Sequence, residues 1–199
     1  MSKHYNPIEH FQQWFYEIKN LDTGDEINAM QLSTIGIDGF PKTRIVLLKR
    51  FTWEGFIFFT NYKSEKGKAL ANNNRASLLF NWHKSQREVH IYGHTEKIPE
   101  NLSEGYFESR PRGSKLAAWV SEQSTIIPSR TILDKRMEQL EQKFQNKEIP
   151  KPPYWGGYIL KPIHIEFIKY EAFTKANKVI QYTLQQDYNW CKTSSYRFL

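Results

Sequence analysis

The sequence of 199 residues contains one cysteine, Cys191, so no disulfide can close within the chain. That usage favours a cytosolic protein. Ready-made catalytic motifs are missing as well. There is no Gly-rich phosphate loop, no His-Glu-x-x-His zinc pair and no Gly-x-Ser-x-Gly elbow. Cys191 sits beside Trp190 without an evident base. Long apolar runs are absent too, which leaves no membrane-spanning stretch. Met1 to Asn20 alternates polar and apolar residues, a pattern unlike a secretory leader. If the protein is an enzyme, a cofactor is the economical source of its chemistry.

What is present describes a globular chain, 39% hydrophobic and 15% aromatic, long enough for one core. Its formal charge is +7, which points to anionic partners. The basic residues are scattered, with no arginine-rich arm and no zinc-ligand spacing, so small phosphates fit better than nucleic acid.

Asn6-Pro7 reads as a helix start, followed by an apolar stripe of Ile8, Phe11, Trp14, Phe15 and Ile18. Strand patterns follow at Ala29–Ile35, Thr43–Phe51, Phe56–Thr60, Ala76–Trp82 and Glu88–Ile98, with turns at Asp38-Gly39 and Trp53-Glu54-Gly55. A short helix is expected over Ser64–Asn73, capped by Ser64. Helices are expected over Pro99–Glu108, Ser114–Ser121 and Ser129–Lys147. The last is the longest and buries Ile132, Leu133, Met137, Leu140 and Phe144. Gly156-Gly157 opens a long strand, Tyr158–Tyr170, and weaker strands follow. Short strands joined by tight turns predict a mainly β fold with flanking helices, its sheet closed into a barrel.

Several basic residues stand where they could grip an anion. Arg44 and Lys49 bracket the run Ile45-Val46-Leu47-Leu48, and in a regular strand their odd spacing turns them to opposite faces. They either serve different neighbours or sit in solvent at strand ends. Ser64-Glu65-Lys66 at a helix start offers a phosphate cradle or merely a cap. The stretch YFESRPRGSKLAAWVSEQS, from Tyr106 to Ser124, is more particular. Tyr106, Arg110 and Ser114 lie at helical spacing, the groups a phosphomonoester requires; the same stretch also reads as a solvated helix–helix corner.

Taken in order, NAMQLSTIGIDGFPKTRIVLLK, GFIFFTNYKSEKGKALANNNRASLLFNW, REVHIYGHTEKI, the stretch above and PPYWGGYIL resemble the pyridoxine (pyridoxamine) 5′-phosphate oxidase family of FMN flavoproteins. The resemblance runs from about residue 6 to about residue 168. It implies one FMN-binding split β-barrel domain over residues 1–199, with an N-terminal helix in 1–20 and a divergent segment at 171–199. It also implies a cytoplasmic homodimer with FMN at the interface. Arg44, Ile45, Val46, Leu47, Leu48 and Lys49 match a flavin-binding strand, with Phe59-Thr60 beside it. Lys66 matches a flavin-phosphate ligand, and Glu88 and Trp155 match flavin contacts. Gln123-Ser124 would reach the flavin from the partner subunit. Lys49, Tyr106, Arg110 and Ser114 match the holders of the substrate phosphate.

The reaction implied passes a hydride equivalent from substrate C4′ to flavin N5, and O2 reoxidises the flavin. Pyridoxal 5′-phosphate and hydrogen peroxide result, and no side chain is singled out as catalytic. Three positions depart from the family pattern. Glu65 stands where an Arg is expected and Glu88 where a Gln is expected. The closing Arg-x-His-x-Arg is absent, since Glu171 to Trp190 contains neither residue type; Lys175, Asn177 and Lys178 are the nearest polar candidates. These departures keep two alternatives in view. One is a different substrate, as in phenazine-pathway relatives, and the other is a non-catalytic binder of FMN or pyridoxal phosphate.

Overall fold

The computed structural model describes residues 5–21, 24, 26–121, 123–124, 126–127, 129–171 and 176–198. The first helix, α1 (Pro7–Asn20), begins where Asn6 accepts the Ile8 amide on its side chain and Pro7 presets the first turn. Its stripe of Ile8, Phe11, Trp14 and Ile18 is buried. Phe11 is fully enclosed and meets Phe51, Phe56 and Phe80 edge-on, with centroids 4.8–5.2 Å apart. Burial of that ring contributes about 2–3 kcal/mol. His10, on the same helix, stacks on Phe167 at 3.9 Å, and its Nδ1 lies 3.2 Å from the Tyr182 hydroxyl.

The strands are β1 (Ala29–Ile35), β2 (Pro41–Leu47), β3 (Arg50–Thr52), β4 (Gly55–Asn61), β5 (Arg75–Trp82), β6 (Arg87–Lys97), β7 (Trp155–Lys169), β8 (Ala176–Leu184) and β9 (Trp190–Phe198). All pairings are antiparallel, in the order β2-β1-β5-β6-β7-β4-β3, with β8 on β7 and β9 on β8. The 15-residue β7 branches the sheet: its first part pairs with β4 and its last part with β8, while β6 runs along both. A register shift at Tyr92/Gly93 bends the β6–β7 ladder between those parts.

The strand expected over Thr43–Phe51 is broken. The Leu48 amide donates to the Asn28 carbonyl at 2.8 Å, and the next amide, Lys49, donates to Ile57 at 2.9 Å. The chain changes partners between those two residues, from β1 to β4. The sheet is therefore a curled antiparallel half-barrel whose two ends meet through one peptide segment rather than a closed ladder.

Helix α2 (Glu65–Asn72) follows β4, capped by Ser64, whose hydroxyl accepts the Gly67 amide at 3.2 Å. Of the helices α3 (Glu100–Glu108), α4 (Arg112–Val120) and α5 (Arg130–Lys143), α3 packs on β7 and α4 packs against α5. Two expectations for α5 need correction. It is no longer than α1, 14 residues each, and none of its own residues is buried. Met137 and Leu140 lean on a small cluster of Leu116, Phe144 and Ile149, and Ile132 is exposed. Its sequence is too charged to support a wide apolar face. The Arg112 guanidinium closes its end, donating to the Phe144 carbonyl at 2.7 Å and to Lys147 at 3.2 Å. Among the described residues no helix is long and apolar enough to cross a membrane.

Candidate active site

One cavity of about 560 Å³ gathers most of the residues singled out from the sequence, a volume ordinary for a small-molecule site. The end of β2 and the partner switch after it supply Ile45, Val46, Leu47 and Lys49. Strand β4 supplies Phe59 and Thr60, and the first turn of α2 supplies Lys66. The α3–α4 corner brings Tyr106, Arg110 and Ser114, and Gln123 and Trp155 complete the wall. Asn61, Ala117 and Ser121 also line it and were not foreseen. Asn61 follows Phe59-Thr60 directly, so extension of that strand by one residue was the available signal.

Arg110 lies between two helices because Pro111 is extended, with φ −56° and ψ 145°, and α4 restarts at Arg112. Its guanidinium carbon is 4.9 Å from the Trp155 ring centroid. Its Nη1 is buried with no hydrogen-bond partner. Burial pulls its pKa below the usual guanidinium value, partly opposed by Tyr106. Arg112, two residues on, turns to the end of α5, so the Arg-Pro-Arg corner has one functional candidate and one structural clamp.

Lys66 is 7% exposed, and its pKa falls from 10.5 to about 8. Burial is the main cause, and Arg44 adds repulsion that Glu65 partly offsets. Arg44 does not line the main cavity. Its Nη1 donates to Thr34 Oγ1 at 2.8 Å and to the Leu32 carbonyl at 3.2 Å, and it faces an adjoining cleft shared with Lys66, Glu65 and Ser124. Glu65 is neutralised across that cleft by Lys42, which also holds Asp38 at 2.9 Å.

Gln123 was expected to act from a second subunit, yet here it lines the cavity of its own chain. Its Oε1 accepts from Thr60 Oγ1 at 3.0 Å and from the Asn61 amide at 3.3 Å. A backbone amide can only donate, so the carboxamide orientation is fixed and its NH2 is left to donate elsewhere. Ser124 lies beside the cleft, its hydroxyl accepting the Glu65 amide at 3.2 Å. Its φ of +73° is a backbone conformation seldom adopted outside turns and sites.

Other expected positions lie elsewhere. Leu48 is 4% exposed and belongs to the core. Glu88, on β6, pairs with His90 Nε2 at 3.0 Å and does not reach this cavity. Asn177 is buried and accepts the Glu171 amide, Lys178 is exposed on β8, and Lys175 falls outside the described residues. Among the described residues no cluster of His, Cys, Asp and Glu could hold a metal ion.

The cavity presents the cations Lys49, Lys66 and Arg110 within an aromatic and aliphatic wall, and Arg44 meets Lys66 at the adjoining cleft. Such a lining suits anionic ligands that carry flat rings. Residues 19–144 match a family described as pyridoxamine 5'-phosphate oxidase. A pyridoxine/pyridoxamine 5'-phosphate oxidase of Flavobacterium psychrophilum is 51% identical over 93% of this chain and 86% of its own length. The pyridoxine-5'-phosphate oxidase of Bos taurus is 48% identical over 81% of this chain and 62% of its own length. Among solved structures, PhzG from Burkholderia lata 383, in complex with tetrahydrophenazine-1-carboxylic acid, has a TM-score of 0.90 at 23% identity, covering 96% of this chain and 93% of that one. A pyridoxamine 5'-phosphate oxidase-related, FMN-binding protein from Nostoc punctiforme has a TM-score of 0.73 at 12% identity, covering 94% of each chain. At such identities the structural likeness is one of fold.

Proposed function

The chain belongs to the pyridoxamine 5'-phosphate oxidase family, and from that premise we propose that it binds FMN and oxidises pyridoxamine or pyridoxine 5′-phosphate to pyridoxal 5′-phosphate. O2 accepts the electron pair and leaves as hydrogen peroxide; with the amine substrate, water enters and ammonia departs.

One observation carries this reading: Arg110 Nη1 is buried without a partner in a wall that also presents Lys49, Tyr106 and Ser114. An unpaired buried guanidinium nitrogen is costly, and its natural complement is a phosphate oxygen. These four residues anchor the substrate's phosphate.

The remaining residues fit the cofactor. Lys66 and Arg44 form a second cationic pole for its phosphate, and Gln123 presents donors to a ring acceptor. Phe59 and Trp155, parallel within 9°, give flat apolar wall for its rings. When bound, the flavin supplies a two-electron acceptor that O2 restores. The protein's part is to fix both phosphates, and through them the distance between the rings. The run Ile45, Val46 and Leu47 adds aliphatic wall to the cavity.

The homodimer belongs to the same proposal. Ile45 on the cavity wall is 71% exposed, and Ile37 and Phe40, in the turn that leads into β2, are 69% and 70% exposed, apolar surface that a second copy would cover. Glu88, remote from its own cavity, would meet the flavin only from that copy.

A second reading, a flavin protein of this fold that binds a phosphorylated ligand without this turnover, draws on one fact. Glu171 to Trp190 lacks Arg and His, and among the described residues nothing in that stretch lines the cavity. Reconstitution with FMN followed by parallel assay of peroxide and pyridoxal 5′-phosphate separates the two. The proposal expects equal amounts of both products from pyridoxamine 5′-phosphate and far less from pyridoxamine. Retained FMN with no peroxide at saturating substrate would establish the second reading.

A further inference from the structure

Arg110 holds its charge in the cavity wall without a carboxylate beside it: among the described residues it makes no ion pair. We infer that Phe107, which does not line the cavity, is the positioning residue that aims the Arg110 guanidinium at the substrate's phosphate. This rests on the function proposed above. Phe107 lies on α3 and is 1% exposed. The guanidinium carbon is 5.4 Å from its ring centroid and 4.9 Å from that of Trp155. The two rings meet edge to face, 5.1 Å apart at 69°, and so form an aromatic corner around the cation. The Phe107 carbonyl also accepts the Arg110 amide at 3.1 Å, so one residue restrains both the backbone and the head group of Arg110.

The choice of rings over a carboxylate has a chemical consequence. A carboxylate would occupy the N–H edge of the guanidinium and compete with phosphate. An aromatic ring stabilises the cation through its π-system and leaves the N–H donors available. The unpartnered Nη1 is such a donor, held in place before any anion arrives. Trp155 is itself part of the cavity wall, so Phe107 is the element of this corner that can be altered without touching a ligand.

The test compares the FMN-reconstituted parent with Phe107→Leu and with Phe107→Met, both lacking the ring and the second flexible enough to fill the space it leaves. KM and kcat are measured for pyridoxamine 5′-phosphate and for pyridoxamine, and pyridoxal 5′-phosphate affinity is titrated directly. The expected result is a rise of about tenfold in KM for the phosphorylated substrate and in the pyridoxal 5′-phosphate Kd. KM for pyridoxamine and FMN affinity should stay as in the parent, and kcat should change little. If the leucine variant does not fold, the methionine variant carries the reading. Values within about twofold of the parent overturn the inference. A KM rise shared by pyridoxamine overturns it too, as general loosening. A parent that does not discriminate between the two substrates refutes the function itself, and this inference with it.

Discussion

Replacing Lys66 by methionine is expected to raise, not lower, the stability of the ligand-free protein at pH 7. The substitution keeps the side chain's length and apolar stem but removes an ammonium that is 7% exposed and faces Arg44. A fall in pKa from 10.5 to about 8 corresponds at face value to about 3 kcal/mol of disfavour for the charged form. The ammonium borders an open cavity, so water screens part of this, and about 1–2 kcal/mol is the working figure. For a chain of this length that is about 2–8 °C in Tm. The pH dependence fixes the sign. Below pH about 8 both folded and unfolded chains carry the proton, and the full cost is present. Between about 8 and 10.5 the unfolded chain holds more protons than the folded one, so parent stability rises with pH through that window. The advantage of Lys66→Met should therefore shrink from pH 7.5 to pH 10. Thermal melts of apo protein at matched ionic strength measure it, and adding FMN should reverse the order by stabilising the parent more. A variant no more stable than the parent at pH 7, or a gap that does not change with pH, would refute the reasoning.

Arg110→Met removes the planar donor and should raise KM for pyridoxamine 5′-phosphate about 10–100-fold, the loss of a charge-assisted hydrogen bond, with KM for pyridoxamine little changed in the same assay. Gly67→Ala should destabilise, although alanine is favoured over glycine in helices by about 1 kcal/mol. An added Cβ would lie 2.3 Å from the Tyr62 carbonyl oxygen, a backbone atom that cannot move aside; a higher denaturant midpoint would contradict this. His10, pushed from 6.5 down to about 4 chiefly by burial, should make the parent acid-sensitive. As pH falls from 6.5 toward 4 the unfolded chain takes the proton first, so stability is full above 6.5 and is lost in that window. His10→Phe should flatten the melting curve against pH there by about 1–2 kcal/mol, allowing for solvent screening.

What the sequence made legible was local. The spacing of Ile8, Phe11, Trp14 and Ile18, the cap at Asn6 and the bounds of Ala29–Ile35 were readable because each depends on near neighbours in the chain. Lys49 shows the limit. Strand parity placed it opposite Arg44, and it does face a different region, but the cause is the change of partner after Leu48, which depends on β1 and β4 together. In the Arg-Pro-Arg corner, spacing to Tyr106 and Ser114 and the resemblance singled out Arg110, while the role of Arg112 was not legible. It depends on the packing of α5 against α4, which gives Arg112 to carbonyls at Phe144 and Lys147. Glu65 stood out as a departure from the family pattern, yet Lys42, far away in sequence, neutralises it across the cleft. The family resemblance ordered these residues into one site, while the apolar face expected for α5 proved narrower, with Phe144 buried and Met137 and Leu140 only half-buried, because periodicity did not weigh its many charges.

The central claim is that the wall holding Arg110 receives the phosphate of the substrate. A crystal structure of the protein with FMN and pyridoxal 5′-phosphate tests it most directly. The pyridoxal phosphate group is expected within hydrogen-bonding reach of Arg110 Nη1, with the FMN phosphate at Lys66. A pyridoxal phosphate group bound elsewhere, with Arg110 Nη1 still unpartnered, would contradict it.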